Sequence, residues 1–292
     1  MIYLADQWQD YELIDAGDGD KLERWGPYRL QRPDPQAVWP HDAWPKPDAR
    51  YLRSSSGGGT WQQLGPMPQT WTVDYIGVAG KLTFRLELMG FKHTGLFPEQ
   101  AANWDFCARQ IKQAASAGRP VRILNLFAYT GAASVSCAAA GAAEVVHLDA
   151  SKGMNTRARE NLQLSGHGDK NVRFISDDAA KFVEREIRRG RQYDGILMDP
   201  PAYGRGPSGE LWKIEDNLFG LVARCARLLS DRPLFFLLNA YATSLAPAVL
   251  ANVLDLVLKP AYGGQAEAAE LGLPATARGL VLPCGATGRW TP

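Results

Sequence analysis

The sequence predicts an α/β protein: a doubly wound, mostly parallel, seven-stranded sheet over residues 91–292, preceded by a small β-rich domain over residues 1–90. Three observations lead there. Residues 121–151, VRILNLFAYTGAASVSCAAAGAAEVVHLDAS, read as an apolar strand, a small-residue turn at Gly131, an alanine-rich helix and a second strand closing on Asp149. Beyond them, strand-like runs keep alternating with helix-length stretches, as parallel strands joined by helical crossovers do. Residues 1–90 instead hold six of the nine tryptophans, among prolines, glycines and short alternating runs such as TWTVDYIGV and KLTFRLEL.

In the first segment, RPDPQAVWPHDAWPKPDARYLRSSSGGGTWQQLGPMP reads as extended loops, because repeated prolines and a Ser-Gly run disfavour helix and central strand alike. Its tryptophans can stack on bases, but rings in so small a domain more often fill a sparse core. Residues 99–117, EQAANWDFCARQIKQAASA, predict the helix that leads into the first sheet strand. After that strand come EVVHLD, NVRFIS, YDGILMD and PLFFLLNA, and Asp177 is read as the cap of the basic helix behind NVRFIS. A last helix near residues 244–258 precedes AEAAELGL and GLVLPCG, a closing antiparallel hairpin that brings the strands to seven.

At 292 residues the chain has room for one large domain and an appendage. No apolar run approaches the roughly 20 residues that cross a bilayer, and the opening MIYLADQWQDYE is acidic and lacks a signal-peptide core, so a cytoplasmic protein is expected. Cys107, Cys137, Cys225 and Cys284 are widely spaced, form no CxxC pair and have few histidines near them, so reduced buried thiols and no metal site are expected. A net charge of only +1 means that any contact with nucleic acid has to come from a local patch.

The candidate chemistry sits just after the strands. Asn125, Phe127, Tyr129, Thr130 and Gly131 follow the first; Asp149, Ala150 and Ser151 the second; Asp177, Asp178 and Ala179 the third; Asp199, Pro200, Pro201, Ala202 and Tyr203 the fourth. A doubly wound sheet gathers these loops into one crevice at the carboxyl ends of its strands. Asp149 lies 18 residues past Gly131, about where nucleoside-binding folds place the carboxylate that accepts both ribose hydroxyls. A dinucleotide needs several glycines so that amides can approach its pyrophosphate, whereas Phe127, Ala128, Tyr129 and Thr130 precede a lone glycine here. The turn therefore suits a phosphate-free nucleoside such as S-adenosylmethionine and counts against a nicotinamide-dependent oxidoreductase. The competing reading is a glycine that merely eases a tight turn.

Over residues 90–260 the chain resembles the class I S-adenosylmethionine-dependent methyltransferases, and within them the bacterial large-subunit ribosomal RNA methyltransferases with a D-P-P-x-aromatic loop. HTGLFPEQAANW, LNLFAYTGAAS, HLDAS, RENLQLSG, SDDA and DPPAYGRG carry the likeness, in order. It implies that residues 125–131 hold the methionine end of the cofactor, Asp149 the ribose and Asp178, beside small Ala179, the adenine amine. It also implies a lid formed by Phe97, Pro98 and Gln100. Helix capping is the competing reading for both acids.

Asp199, Pro200 and Pro201 are the expected reaction centre. Two consecutive prolines stiffen a loop and leave carbonyl oxygens able to accept from a nucleobase amine, on which Tyr203 can stack. Ala202 separates Tyr203 from the prolines, whereas many amino-group methyltransferases place the aromatic directly after them, so the accepting atom stays open. Methylation at carbon 5 of a pyrimidine needs a cysteine nucleophile, and neither DPPAYGRG nor LNAYATS holds one, which favours a base nitrogen. Asn239 and Tyr241 either face the substrate or cap the next helix. Arg185, Arg188, Arg189 and Arg191 read as a solvated helix face, and Arg205, with Lys213 beyond it, as the better contact for RNA phosphates. A methyltransferase acting on a small molecule or a protein would share every cofactor residue.

Overall fold

The computed structural model describes residues 1–54, 58–205, 211–241 and 245–292, with Arg205 described by its backbone alone. The amino-terminal strands are β1 (Ile2–Leu4), β2 (Tyr11–Gly17), β3 (Asp20–Trp25), β4 (Tyr28–Pro33), β5 (Ala49–Arg53), β6 (Gly59–Gln63), β7 (Thr70–Gly77) and β8 (Gly80–Glu87). Then follow α1 (Ala101–Ser116), β9 (Arg122–Leu126), α2 (Ala132–Ala139), β10 (Glu144–Asp149), α3 (Lys152–Leu164), β11 (Val172–Ser176), α4 (Ala179–Arg188) and β12 (Gly195–Met198). The chain closes with β13 (Tyr203–Arg205), β14 (Leu211–Lys213), α5 (Ile214–Ala226), β15 (Phe235–Ala240), α6 (Pro247–Tyr262), β16 (Gln265–Pro274) and β17 (Val281–Thr291).

Eight strands form the large sheet, in the order β1-β16-β17-β15-β12-β9-β10-β11. The five from β15 to β11 are parallel, β17 runs antiparallel beside β15, and β16 antiparallel beside β17. All seven predicted strands are there; the eighth is β1, whose three residues are too few to register as a strand in sequence and which pairs in parallel with Glu270, Leu271 and Gly272. From β9 the chain moves outward to β10 and β11, then crosses to β12 on the other side, so the carboxyl ends of β9 and β12 flank the reversal where α/β sheets bind ligands.

The amino-terminal sheet has the order β2-β3-β4-β5-β6. Strands β5 and β6 correct the expectation of loops over residues 32–68. ARYLR and GTWQQ contain no proline, pair antiparallel from Ala49–Gln63 to Arg53–Gly59, and attach to β4 through only Leu30 and Gln31. The prolines lie before β5, where Pro33 ends β4, and after β6. The hairpin β7–β8 lies on α3: Thr83 and Arg85 donate backbone N–H groups to Ser165 Oγ (3.0 Å) and Asn161 Oδ1 (2.9 Å).

One hydrophobic core runs through both parts, joining Tyr11, Trp25, Tyr75 and Phe84 to Trp104, Ile111 and Ile123. The six amino-terminal tryptophans are all buried or half-buried, and Trp8 meets Tyr11, Tyr75 and Trp104 edge-on or tilted at 4.7–5.9 Å. Among the described residues, no helix is long and apolar enough to cross a membrane and no group of three His, Cys, Asp or Glu side chains could hold a metal ion.

Glu23, fully buried, accepts from Arg32 at 2.6 and 2.7 Å and from the Tyr11 hydroxyl at 2.9 Å. Burial opposes its charge, but Arg32 and Lys21 overcome this and hold the carboxyl at about 2. Its stabilisation is thus complete above the ordinary glutamate value of about 4.3 and is lost as pH falls toward 2. Glu23→Ala leaves the Arg32 guanidinium buried without its partner, which should cost about 3–5 kcal/mol in urea unfolding at pH 7. A loss below about 1 kcal/mol would contradict this role.

Candidate active site

The turn between β9 and α2 is built from unusual backbone. Phe127 (φ 57°) and Tyr129 (φ 50°) are left-handed without being glycine, and Gly131 (φ 85°) caps α2 in the same region. Such residues cost conformational energy and persist only where surroundings enforce them. Here, Ala128 N–H donates to the Leu148 carbonyl (3.0 Å), Tyr129 N–H to Asp149 Oδ2 (2.9 Å), and Thr130 Oγ1 to the Gly95 carbonyl (2.7 Å). Asn161 Nδ2 donates to the Thr130 carbonyl (2.9 Å). A Cβ on Gly131 would lie 2.7 Å from Ala158 Cβ on α3, so glycine is required for helix packing as well as for φ.

These residues border a cleft of about 530 Å³ of atom-free space, its open mouth included. Of the residues predicted to form the site, Phe97, Gln100, Asn125, Phe127, Tyr129, Thr130, Gly131 and Asp199 line it, and so does Asn239. Pro98, Asp149, Ala150, Ser151, Asp178, Ala179, Pro200, Pro201 and Tyr203 lie outside this lining. Asp149 stands next to it, its two oxygens fixed by Tyr129 N–H and Ser151 N–H (2.8 Å), which leaves each oxygen a second lone pair. Burial raises its carboxyl pKa, and those two N–H groups oppose the rise. Ser151 caps α3 by accepting from Met154 N–H (3.4 Å).

The cap of α4 is Asp178, whose Oδ1 accepts from Lys181 N–H (2.9 Å). This corrects the assignment of the cap to Asp177, which instead accepts from Asp178 N–H (2.8 Å) and pairs with Arg185. Left-to-right order misled because either adjacent acid satisfies the capping pattern; only the register of the helix distinguishes them. Pro98 is buried and its carbonyl accepts from Trp8 Nε1 (2.9 Å), anchoring residues 97–100 to the amino-terminal part.

Sequence reasoning missed three contributors. Asn103 is buried, donates to Gln100 Oε1 (2.9 Å), Asn239 Oδ1 (3.0 Å) and Thr287 Oγ1 (3.2 Å), and accepts from Arg289 (2.7 Å). It holds Gln100, β15 and β17 in one polar network, while Gln100 Nε2 reaches the Tyr241 hydroxyl (2.7 Å). Trp104 lines the cleft, and buried Glu99 faces Asp199. All three lie in PEQAANW, where Asn103 and Trp104 stand three and four residues after Gln100, the helical spacing that was the available signal, while adjacent Glu99 gave none.

Among the described residues, Asp199 is the one charged side chain in the cleft lining, which contains no lysine, arginine or histidine. A pyrophosphate would find no cation there, whereas a neutral nucleoside bearing a sulfonium fits both the apolar walls and the single acid. Asp199→Asn is informative because burial, with Glu99 adding to it, pushes this carboxyl up to about 7.

A cation-free crevice at the switch point of a parallel sheet defines the ligand site of a Rossmann-like α/β protein. The family described as "S-adenosylmethionine-dependent methyltransferase" matches residues 48–229. The chain belongs to that family, and S-adenosylmethionine is its cofactor. A solved S-adenosylmethionine-dependent methyltransferase from Agrobacterium tumefaciens is 36% identical with a TM-score of 0.91, covering 100% of this chain and 93% of that one. A Streptococcus mutans protein solved as a candidate member shares the fold, with 16% identity, a TM-score of 0.68 and coverage of 97% and 76%. The ribosomal RNA large subunit methyltransferase K/L of Shewanella baltica strain OS195 is 34% identical over 148 residues, 50% of this chain. This chain spans about a fifth of that relative's length.

Because the folded state keeps the Asp199 proton between about pH 4 and about pH 7, where the unfolded chain has lost it, this residue lowers stability progressively as pH rises through that window. Asp199→Asn should match the parent near pH 4 and exceed it by roughly 2–4 kcal/mol at pH 8. Parallel stability curves for the two proteins across pH 4–8 would remove the shift.

Proposed function

We propose that this chain methylates a base nitrogen of large-subunit ribosomal RNA, with the target base held at Asp199, Pro200, Pro201 and Tyr203. The observation that carries the reading is the loop at the carboxyl end of β12. Trp212 Nε1 donates to the Pro201 carbonyl (2.6 Å) and Ile214 N–H to the Ala202 carbonyl (3.0 Å), so each of those oxygens already has one donor. The Pro200 carbonyl is therefore the better acceptor for a base amine. Among the described residues, the Pro200 carbonyl meets no donor, and it follows directly on the Asp199 carboxyl at the cleft. Together they offer two acceptors to one nucleobase edge, and Tyr203, 60% exposed, offers a ring face to stack on.

When bound, S-adenosylmethionine supplies an electrophilic methyl group. The protein's part is to orient the attacking nitrogen and exclude water, which suffices for an in-line displacement. The proton released from that nitrogen passes to Asp199, whose carboxyl near 7 suits a base working at neutral pH. On this reading residues 125–131 hold the methionine end of the cofactor, Asp149 with Ala150 and Ser151 the ribose, and Asp178 with Ala179 the adenine. Phe97, Pro98 and Gln100 form the lid. The similarity to ribosomal RNA methyltransferases over half of the chain supports RNA as substrate, acted on in the cytoplasm, with residues 1–90 helping to grip it. The side chain of Arg205, the expected phosphate contact, lies outside the described residues.

Nucleoside mass spectrometry of ribosomal RNA from a strain lacking the chain should show one methylated base missing, restored by the parent gene and not by Asp199→Ala. Identical profiles with and without the chain would point to a small-molecule or protein substrate instead. In calorimetry, Asp149→Ala should weaken cofactor binding by at least about 100-fold, the scale of a lost charge-assisted pair of hydrogen bonds. Unchanged affinity would take Asp149 out of the site.

A further inference from the structure

The connection from β8 to the lid makes a tight turn, Gly90–Lys92, closed by Met89 N–H to the His93 carbonyl (2.9 Å) and His93 N–H to the Gly90 carbonyl (3.3 Å). Phe91 (φ 55°, ψ 35°) and Lys92 (φ 65°) are both left-handed, a conformation that crowds any side chain with a Cβ. Yet Phe91 is 75% exposed, so its ring gains little from packing within the protein. A strained aromatic presented to solvent is a poor choice for stability and a good one for contact.

Both ends of the turn are fastened to the cleft. Met89 accepts at its carbonyl from Trp61 Nε1 (2.7 Å), and its sulfur meets the Tyr129 hydroxyl (3.5 Å). The His93 ring packs edge-on against Phe97 (5.3 Å) and Tyr129 (6.3 Å), two residues of the cleft lining. Phe91 is thus held beside the mouth.

Positive charge gathers at the adjoining Lys92. Lys92 Nζ donates to the Pro33 carbonyl (2.8 Å), and Arg32 donates to the Lys92 carbonyl (3.0 Å). Lys21, Arg32 and Arg53 all act on Lys92, and with burial they lower its pKa despite nearby Asp34. The carboxylates of this corner are committed: Glu23 to Arg32, and Asp34 to Lys21 (3.2 Å). Lys92 and exposed Arg53 form no ion pair among the described residues. An exposed ring beside uncompensated cations is what single-stranded nucleic acid requires, one for a base face and the other for the backbone.

We infer that Phe91 stacks on an unpaired base of the RNA substrate while Lys92 and Arg53 take an adjoining phosphate, an assignment that rests on the reading of the substrate as RNA. The test uses the full chain, a fluorescein-labelled single-stranded RNA of about 12 nucleotides and mixed sequence, and anisotropy. Phe91→Ala should weaken binding about 10-fold, Phe91→Trp should stay within about twofold of the parent, and S-adenosylmethionine affinity should be unchanged in both. Phe91→Gly separates this role from a structural one: it relieves the left-handed backbone, so its thermal midpoint should equal or exceed the parent's while RNA binding falls as for alanine. Lys92→Gln and Arg53→Gln should each lower the slope of log affinity against log salt by about 0.7. If the parent binds RNA and Phe91→Ala binds equally well, the stacking assignment is overturned alone. If the parent neither binds nor methylates RNA, the RNA reading is overturned and this assignment with it.

Discussion

Gly131 approaches helix α3 so closely that no side chain can stand between them, and the shape of the site depends on that approach. It lets α2 start immediately after the β9 turn, with Phe127 and Tyr129 forced into left-handed backbone and Tyr129 N–H directed at Asp149. The acid that ends β10 therefore holds the neighbouring turn while a lone pair on each of its oxygens stays unused. Beneath the turn, Asn125 donates to Ser134 Oγ (2.9 Å), which meets His147 Nδ1 (3.0 Å). Burial pushes His147 down to about 3, so this chain is neutral at physiological pH and adds no positive charge under the cleft.

The amino-terminal part is joined to the cleft through polar contacts as well as through the shared core. Trp8 holds Pro98, Trp61 holds Met89, Arg32 holds Lys92, and Arg85 reaches Asn161, which itself holds Thr130. The segment from Met89 to Pro98 is thus tied to residues 1–90, and the indoles that hold it use their N–H groups for the purpose while their rings stay packed. Methyl transfer needs a well-defined approach more than it needs acid or base strength, and a cleft wall braced in this way meets that need.

Much of this was legible in the sequence because parallel strands buried on both faces show as apolar runs: EVVHLD coincides with β10 residue for residue. The turn residues around Gly131 were legible because few residue types tolerate that backbone. Strand β1 was not, since three residues carry no periodicity and their pairing is decided by β16, over 260 positions away. Strands β5 and β6 were masked by surrounding prolines, although neither strand contains one. Asp177 and Asp178 could not be told apart by a capping rule that both satisfy, and the engagement of the Pro201 carbonyl by Trp212 depends on a hairpin whose register no local signal announces. Asn103 was missed because a buried polar network is defined by what meets it from other elements, here β15 and β17.

On the proposed reading the crevice between the carboxyl ends of β9 and β12 receives the adenosyl group, and a crystal structure with S-adenosylhomocysteine decides it. The ribose hydroxyls should lie on Asp149 and the sulfur within the walls formed by Phe97, Tyr129 and Asp199. Adenosine bound elsewhere, with these walls closed on one another, would contradict it.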